Sequence, residues 1–207
     1  MDELKQMVVD GREDLVPARV EALLDKGVGV EEIMKQALIP AMDEVGGLFQ
    51  KGEIYLPEML VAAEAMKSGM KVLEPLIKGS GVKPIGKAVL GTMSGDMHDI
   101  GKNLVIMSLE GAGFTVIDLG MDVSPSAFAE AVKTHRPQVV GLSALLSSTM
   151  PFMKKAIEAI TASGLRETVK IMVGGAPVNQ AFATEIGADF YGRDSVAGKN
   201  FAVKACA

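Results

Sequence analysis

From Lys87 onward the chain alternates, without a break, between short β-rich runs and longer stretches of helical spacing. The runs fall at 87–93, 114–119, 138–143, 169–173 and 188–191. Helical patterns occupy 99–112, 125–135, 150–163 and 177–186, with a last one starting at 195. Strict alternation of this kind specifies a parallel sheet with right-handed crossovers, because successive parallel strands need a helix to carry the chain back. In such a sheet the carboxyl ends of all strands share one edge, and that edge is where open α/β sheets bind ligands.

The first part of the chain follows a different period. Val8, Val9, Val16, Val20, Leu23 and Leu24 recur at helical spacing with charges between them, and Gly27 ends that pattern. A second set (Ile33, Ala37, Leu38, Met42, Val45, Leu48, Phe49) contains Pro40, which is expected to kink or break it. Residues Leu56 to Ile77 form a third amphipathic stretch, with Pro57 well placed at its start. Gly79-Ser80-Gly81-Val82-Lys83-Pro84 has the composition of a linker. The expected architecture is an N-terminal α-helical bundle over residues 1–84, linker included, followed by a flavodoxin-like (Rossmann-like) α/β domain over 85–207 with a five-stranded parallel sheet.

Composition narrows the function. Apolar residues make up 48% of the chain, enough for an ordinary globular core, and no apolar run approaches the ~20 residues of a membrane span. The net charge of −5 resides in residues 1–83, where 15 acidic side chains face 10 basic ones; the remainder carries 11 of each. Without a basic face, and with no tryptophan, a nucleic-acid partner is not expected. Cys206 has no partner for an internal disulfide, and the N-terminal Met-Asp-Glu-Leu-Lys-Gln does not read as a signal peptide. A cytoplasmic location is the expectation.

Four segments rich in small and polar residues fall at the carboxyl ends of the expected strands. They are Gly95-Asp96-Met97-His98-Asp99-Ile100-Gly101, Ser143-Ala144-Leu145-Leu146-Ser147-Ser148-Thr149, Gly174-Gly175-Ala176-Pro177 and Gly192-Arg193-Asp194-Ser195. Each has an ordinary explanation alone. A Gly-Gly after a strand usually makes a tight turn, and the Ser-Ser-Thr run suits a helix cap. His135 reads as a solvated helix end before Pro137, and the 14 methionines fall mostly at core spacing. His98 is different. It sits at a helix start, where a neutral imidazole is easier to keep than an imidazolium, and Asp96 is placed to hold its other ring nitrogen. One histidine cannot build a closed zinc site, which needs three or four side-chain ligands. A metal bound by His98 must therefore arrive with most of its coordination filled, as in haem or a corrinoid. A flat ring laid on a sheet edge suits the corrinoid better.

The segment Gly95–Gly101 resembles the Asp-X-His-X-X-Gly signature of base-off/His-on cobalamin-binding domains, with Met97 at the first variable position. Ser143-Ala144-Leu145 is similar to that family's Ser-X-Leu, and Gly174-Gly175 to its Gly-Gly, in the same order and spacing. The N-terminal part resembles the helical cap of cobalamin-dependent methionine synthase and of small corrinoid proteins of methyltransferase systems. Within it, Leu48-Phe49-Gln50-Lys51-Gly52-Glu53-Ile54-Tyr55-Leu56-Pro57-Glu58 is similar to the stretch that covers the upper corrin face in the family.

The resemblance implies a bound cobalamin or related corrinoid, cycling between methylcob(III)alamin and cob(I)alamin. His98 is then the axial cobalt ligand, Asp96 supports it, and Ser143 extends the relay. The displaced lower base lies between Ser143 and Gly174-Gly175. Asp99, Ile100, Gly101, Leu145, Ser147, Thr149 and Asp194 complete the expected cofactor contacts, and Phe49 and Leu56 shield the methyl group. The implied role is a methyl-carrier subunit rather than a stand-alone enzyme. A substrate-specific methyltransferase loads the methyl, and a second one passes it to a folate or to coenzyme M. A reductive activase restores lapsed cofactor, and the linker serves as a hinge. A cobalamin-based regulatory sensor is the alternative.

Overall fold

The structure, a computed structural model, describes residues 1–80 and 83–207, with the backbone alone at 77–80. It forms two compact units, Met1–Pro84 with Gly111–Gly113, and Ile85–Glu110 with Phe114–Ala207. Among the described residues no helix is long and apolar enough to cross a membrane.

The first unit is helical: α1 (Asp2–Val9), α2 (Val16–Asp25), α3 (Val30–Ile33), α4 (Ile39–Lys51) and α5 (Leu56–Ser80). Val16, Val20 and Leu23 form the buried face of α2, which packs against α5. Pro40 does not break its helix. A π-helical turn, Met34–Leu38, joins α3 to α4 directly in front of it. Proline lacks an N–H and its ring crowds the carbonyl four residues back; the wider turn absorbs both problems and the helix continues. Gly52, in a left-handed conformation (φ 72°), then ends α4. Glu58 reaches back to accept from the Tyr55 backbone N–H at 3.1 Å and fixes the start of α5. Of the expected linker, Gly79 and Ser80 continue the helical backbone of α5, and Gly81 and Val82 lie outside the described residues.

The second unit follows the alternating order: β1 (Lys87–Thr92), α6 (Ile100–Gly111), β2 (Thr115–Asp118), α7 (Pro125–His135), β3 (Val139–Ser143), α8 (Met150–Ala162), β4 (Lys170–Gly174), α9 (Gln180–Glu185), β5 (Phe190–Gly192) and α10 (Ser195–Cys206). The strands are all parallel in the order β2-β1-β3-β4-β5. Every strand begins and ends within two residues of its expected position. The largest change is at α9, shorter than the pattern 177–186 because Asn179 caps it by accepting from Phe182 N at 2.9 Å.

Side-chain alternation explains the layers. Val89, Val140, Leu142, Ile171 and Val173 face one side and form one buried core with Phe128 and Val132 of α7 and Met153, Ile157 and Ile160 of α8. The opposite face carries Leu90, Gly141 and Met172, where Leu90 and Met172 close over the missing side chain of Gly141. Between β1 and β3 the winding reverses, and in open α/β sheets the carboxyl edge at such a switch point is where ligands bind.

Two glycines are set by space. A Cβ on Gly91 would lie 2.7 Å from the Phe128 ring, and one on Gly175 would lie 1.8 Å from the carbonyl oxygen of Ala144, at a φ of 126°. Gly91→Ala is expected to cost about 1–3 kcal/mol through overpacking, and Gly175→Ala about 3 kcal/mol or more, since a backbone cannot yield as a ring can. Urea unfolding of the two variants beside the unaltered chain checks both the size and the order.

Candidate functional site

The loop after β1 is built around one carboxylate. Asp96 is fully buried. Its Oδ1 accepts from the His98 backbone N–H at 3.1 Å and lies 2.7 Å from His98 Nδ1. Its Oδ2 accepts from Leu145 N at 2.8 Å, Leu146 N at 3.1 Å and Thr149 Oγ1 at 2.9 Å. The β1 loop is thereby tied to the β3 loop beside it. Burial alone would push the Asp96 carboxyl up. The hydrogen bonds from His98, from the Leu146 and Leu145 backbone and from the His98 backbone outweigh it and hold the group well below the usual carboxylate range.

An ionised carboxylate can only accept, so the ring proton of a neutral His98 sits on Nδ1. The Nε2 lone pair is left free, on a side chain 52% exposed. Thr92 Oγ1 donates to the His98 carbonyl at 3.0 Å and fixes the backbone on the other side. This is the arrangement of a metal-ligating histidine whose second nitrogen is held by a carboxylate.

The hydroxyl that reaches Asp96 is that of Thr149, not of Ser143. Ser143 is the last residue of β3, in register with Thr92 and Gly174, and makes no bond to the carboxylate. Thr149 lies where the loop has turned back over the end of β1, immediately before α8. Its side chain makes no cap to that helix and offers its proton to Asp96 and to Leu146 O instead.

The other expected residues divide into groups. Met97, Ile100 and Leu145 project from the same edge, Met97 and Ile100 being 65% and 67% exposed. Leu146 and Met121, which sequence reasoning did not single out, are exposed apolar side chains of the neighbouring loops. Ser147 is exposed, and Gly95 (φ 81°) makes the turn into the His98 loop. Gly101 lies in the first turn of α6, where Asp99 accepts from Asn103 Nδ2 at 3.0 Å. Gly174 and Gly175 owe their lack of side chains to packing inside the protein, against Gly192 O and Ala144 O. Asp194 caps α10 by accepting from Ala197 N at 2.7 Å. Phe49 lies on α4 and Leu56 begins α5, both in the helical unit and both half-buried.

Sequence reasoning also passed over three polar residues of this region. Lys102, its side chain only 2% exposed, bonds to both Asp118 carboxylate oxygens at 2.7 and 2.8 Å and to Asn103 Oδ1 at 2.7 Å. Asp122 accepts from Gly95 N at 2.7 Å and Ser94 Oγ at 3.1 Å. A lysine one turn into an amphipathic helix, and an aspartate in a loop, look solvated in a linear sequence.

A planar, largely apolar macrocycle bringing its own metal fits these residues. Among the described residues no group of three or more His, Cys, Asp or Glu side chains could hold a bare ion. The exposed apolar side chains around His98 are an apolar platform that water leaves unsatisfied. At the same edge Ser195 Oγ, buried at the start of α10, has no hydrogen-bond partner, which a polar group of a bound molecule would supply.

Comparison with known proteins agrees. Two family models, each described as a B12 binding domain, match residues 86–198 and residues 1–74. The chain is 41% identical over 196 residues to dimethylamine corrinoid protein 1 of Methanosarcina acetivorans, covering 94% of this chain and 92% of that one. A chain in the crystal structure of the methanol:cobalamin methyltransferase complex of Methanosarcina barkeri superposes with a TM-score of 0.90 at 28% identity, over 98% of this chain and 78% of that one. A cobalamin-binding protein of Desulfitobacterium hafniense gives a TM-score of 0.80 at 31% identity, over 98% and 97%. With an imidazole held in the right tautomer above an apolar platform, and with relatives of this kind over nearly its whole length, the chain belongs to the B12-binding domain family and is a cobalamin-binding corrinoid protein.

Proposed function

We propose that this protein carries a methyl group on the cobalt of a base-off/His-on corrinoid, between a substrate-specific methyltransferase and a second methyltransferase that uses a folate or a thiol acceptor. When bound, the corrinoid supplies a cobalt centre that accepts and releases the methyl group. His98 Nε2 is its protein ligand. Met97, Ile100, Leu145 and Leu146 underlie the ring, and the region of Ser143, Gly174 and Gly175 takes up the displaced lower base. Phe49 and Leu56 of the helical unit are the residues proposed to shield the methyl group. Support for a carrier comes from the relatives, named for dimethylamine and methanol systems, which match both units. A reductive activase is a third expected partner.

What supports histidine ligation most directly is the 2.7 Å contact between His98 Nδ1 and a carboxylate held ionised. Because an ionised Asp96 can only accept, it would keep the His98 ring proton on Nδ1 and leave Nε2 to hold the metal. Thr149 keeps the second carboxylate oxygen in place.

The visible spectrum of protein loaded with hydroxocobalamin tests this reading. The unaltered chain is expected to hold one cobalamin with a histidine-ligated spectrum, and His98→Ala to lose that signature. Equal spectra would overturn histidine ligation. Protein that binds the cofactor but neither gains nor gives up a methyl group with partner methyltransferases would instead fit a sensor. A second expectation separates the two hydroxyls. Thr149→Ala removes a buried bond to a charge, costing about 1–3 kcal/mol of stability and lowering the His98-ligated fraction. Ser143→Ala leaves the hydrogen bonds of Asp96 intact and is expected to act on retention of the cofactor instead.

A further inference from the structure

The segment formed by the end of β2 and the loop after it, residues 118–123, holds the His98 loop at both flanks without touching the imidazole. At one flank, Asp122 Oδ1 accepts from Gly95 N at 2.7 Å and from Ser94 Oγ at 3.1 Å, and Asp122 N donates to the Asp96 carbonyl at 3.2 Å. Asp122 achieves this in a left-handed conformation, φ 53°, which is uncommon outside glycine. At the other flank, buried Lys102 is clasped by both oxygens of Asp118, and Asp118 Oδ1 also accepts from Gly120 N at 2.8 Å. Gly120 O in turn accepts from Thr92 N at 3.0 Å. The residues between these two grips, 96 to 101, include both members of the Asp96–His98 pair.

A turn that needed only to reverse the chain would be better served by glycine at position 122. Aspartate retains a strained backbone there, and what it gains is the pair of bonds to Ser94 and Gly95. We propose that Asp122 is a positioning residue for His98: its carboxylate clamps the first turn of the loop against the β2–α7 segment, with the Lys102–Asp118 pair as the counter-grip, and so holds the imidazole where its Nε2 can meet the metal. This inference rests on His98 being the cobalt ligand.

Glycine at 122 relieves the backbone and deletes the carboxylate, whereas asparagine keeps an acceptor oxygen, so Asp122→Gly and Asp122→Asn separate clamping from turn formation. Each variant is loaded with hydroxocobalamin beside the unaltered chain and His98→Ala. Asp122→Gly is expected to fold, to retain one cobalamin, and to show an equilibrium constant for histidine ligation lowered about tenfold, the effect of losing hydrogen bonds to a charged group. Asp122→Asn is expected to restore the unaltered spectrum. In cofactor-free protein, hydrogen exchange at the Gly95 amide should be faster by about the same factor in Asp122→Gly and unchanged in Asp122→Asn. A spectrum for Asp122→Gly equal to that of the unaltered chain overturns the proposal, whatever the amide does. So does an asparagine variant that folds, retains cobalamin and yet fails to restore ligation. If His98→Ala leaves the unaltered spectrum intact, the ligand reading itself falls and takes the positioning role with it, a pattern distinct from a change confined to residue 122.

Discussion

A carboxylate shut away from water is a liability unless every lone pair finds a donor, and the α/β unit is arranged so that Asp96 finds five. They come from the His98 backbone and ring, from two successive backbone N–H groups in the β3 loop, and from the Thr149 hydroxyl. Fully bonded, the charge is stable where it lies. Stripped of any donor, it would carry the cost of an uncompensated buried ion, and stripped of the carboxylate, Leu145 and Leu146 would hold unpaired amides. The same oxygens that close two loops also dictate on which nitrogen His98 keeps its proton. Structural integrity and the chemical state of the imidazole thus depend on one group.

Around that group the sheet divides its labour. One face is a continuous apolar core beneath α7 and α8, closely enough packed that Gly91 has no room for a methyl against Phe128. The carboxyl edge has the opposite character, with Met97, Ile100, Leu145 and Leu146 turned outward. Such exposure is costly in water and persists because the rigid layers behind it leave these side chains nowhere to fold inward. Apolar surface of this kind favours whatever removes it from water.

The architecture was largely legible because hydrophobic period reports directly on which face of an element is buried. The switch from helical spacing to alternating runs at Lys87 located the sheet, and Gly95–Gly101 located the pairing of Asp96 with His98. What the sequence concealed was geometry between distant segments. Ser143 and Thr149 stand six residues apart in one loop, and only the path of that loop decides which hydroxyl meets Asp96. Pro40 looked like a kink or a break because proline disturbs most helices, and the π turn that accommodates it leaves no compositional mark. Gly174 and Gly175 suggested close approach to a ligand, and the close approach that the fold itself requires there, to Gly192 O and Ala144 O, could not be read from the sequence. Asp122 carried no signal because a left-handed aspartate is indistinguishable on paper from an ordinary loop residue.

The carboxylate knot has a consequence for how the molecule is made. Asp96 meets its β3-loop partners at sequence separations of 49, 50 and 53, a span that includes all of α6, β2 and α7. Contacts so distant in sequence close only after the loop entropy between them has been overcome, which places them late in assembly. A nascent chain that has emerged only as far as α7 already contains His98 and the whole signature around it, but has nothing to hold its aspartate. The imidazole acquires a partner that fixes its tautomer early, but that partner acquires its own donors only when β3 has docked beside β1, so the arrangement is complete only with the finished centre of the sheet.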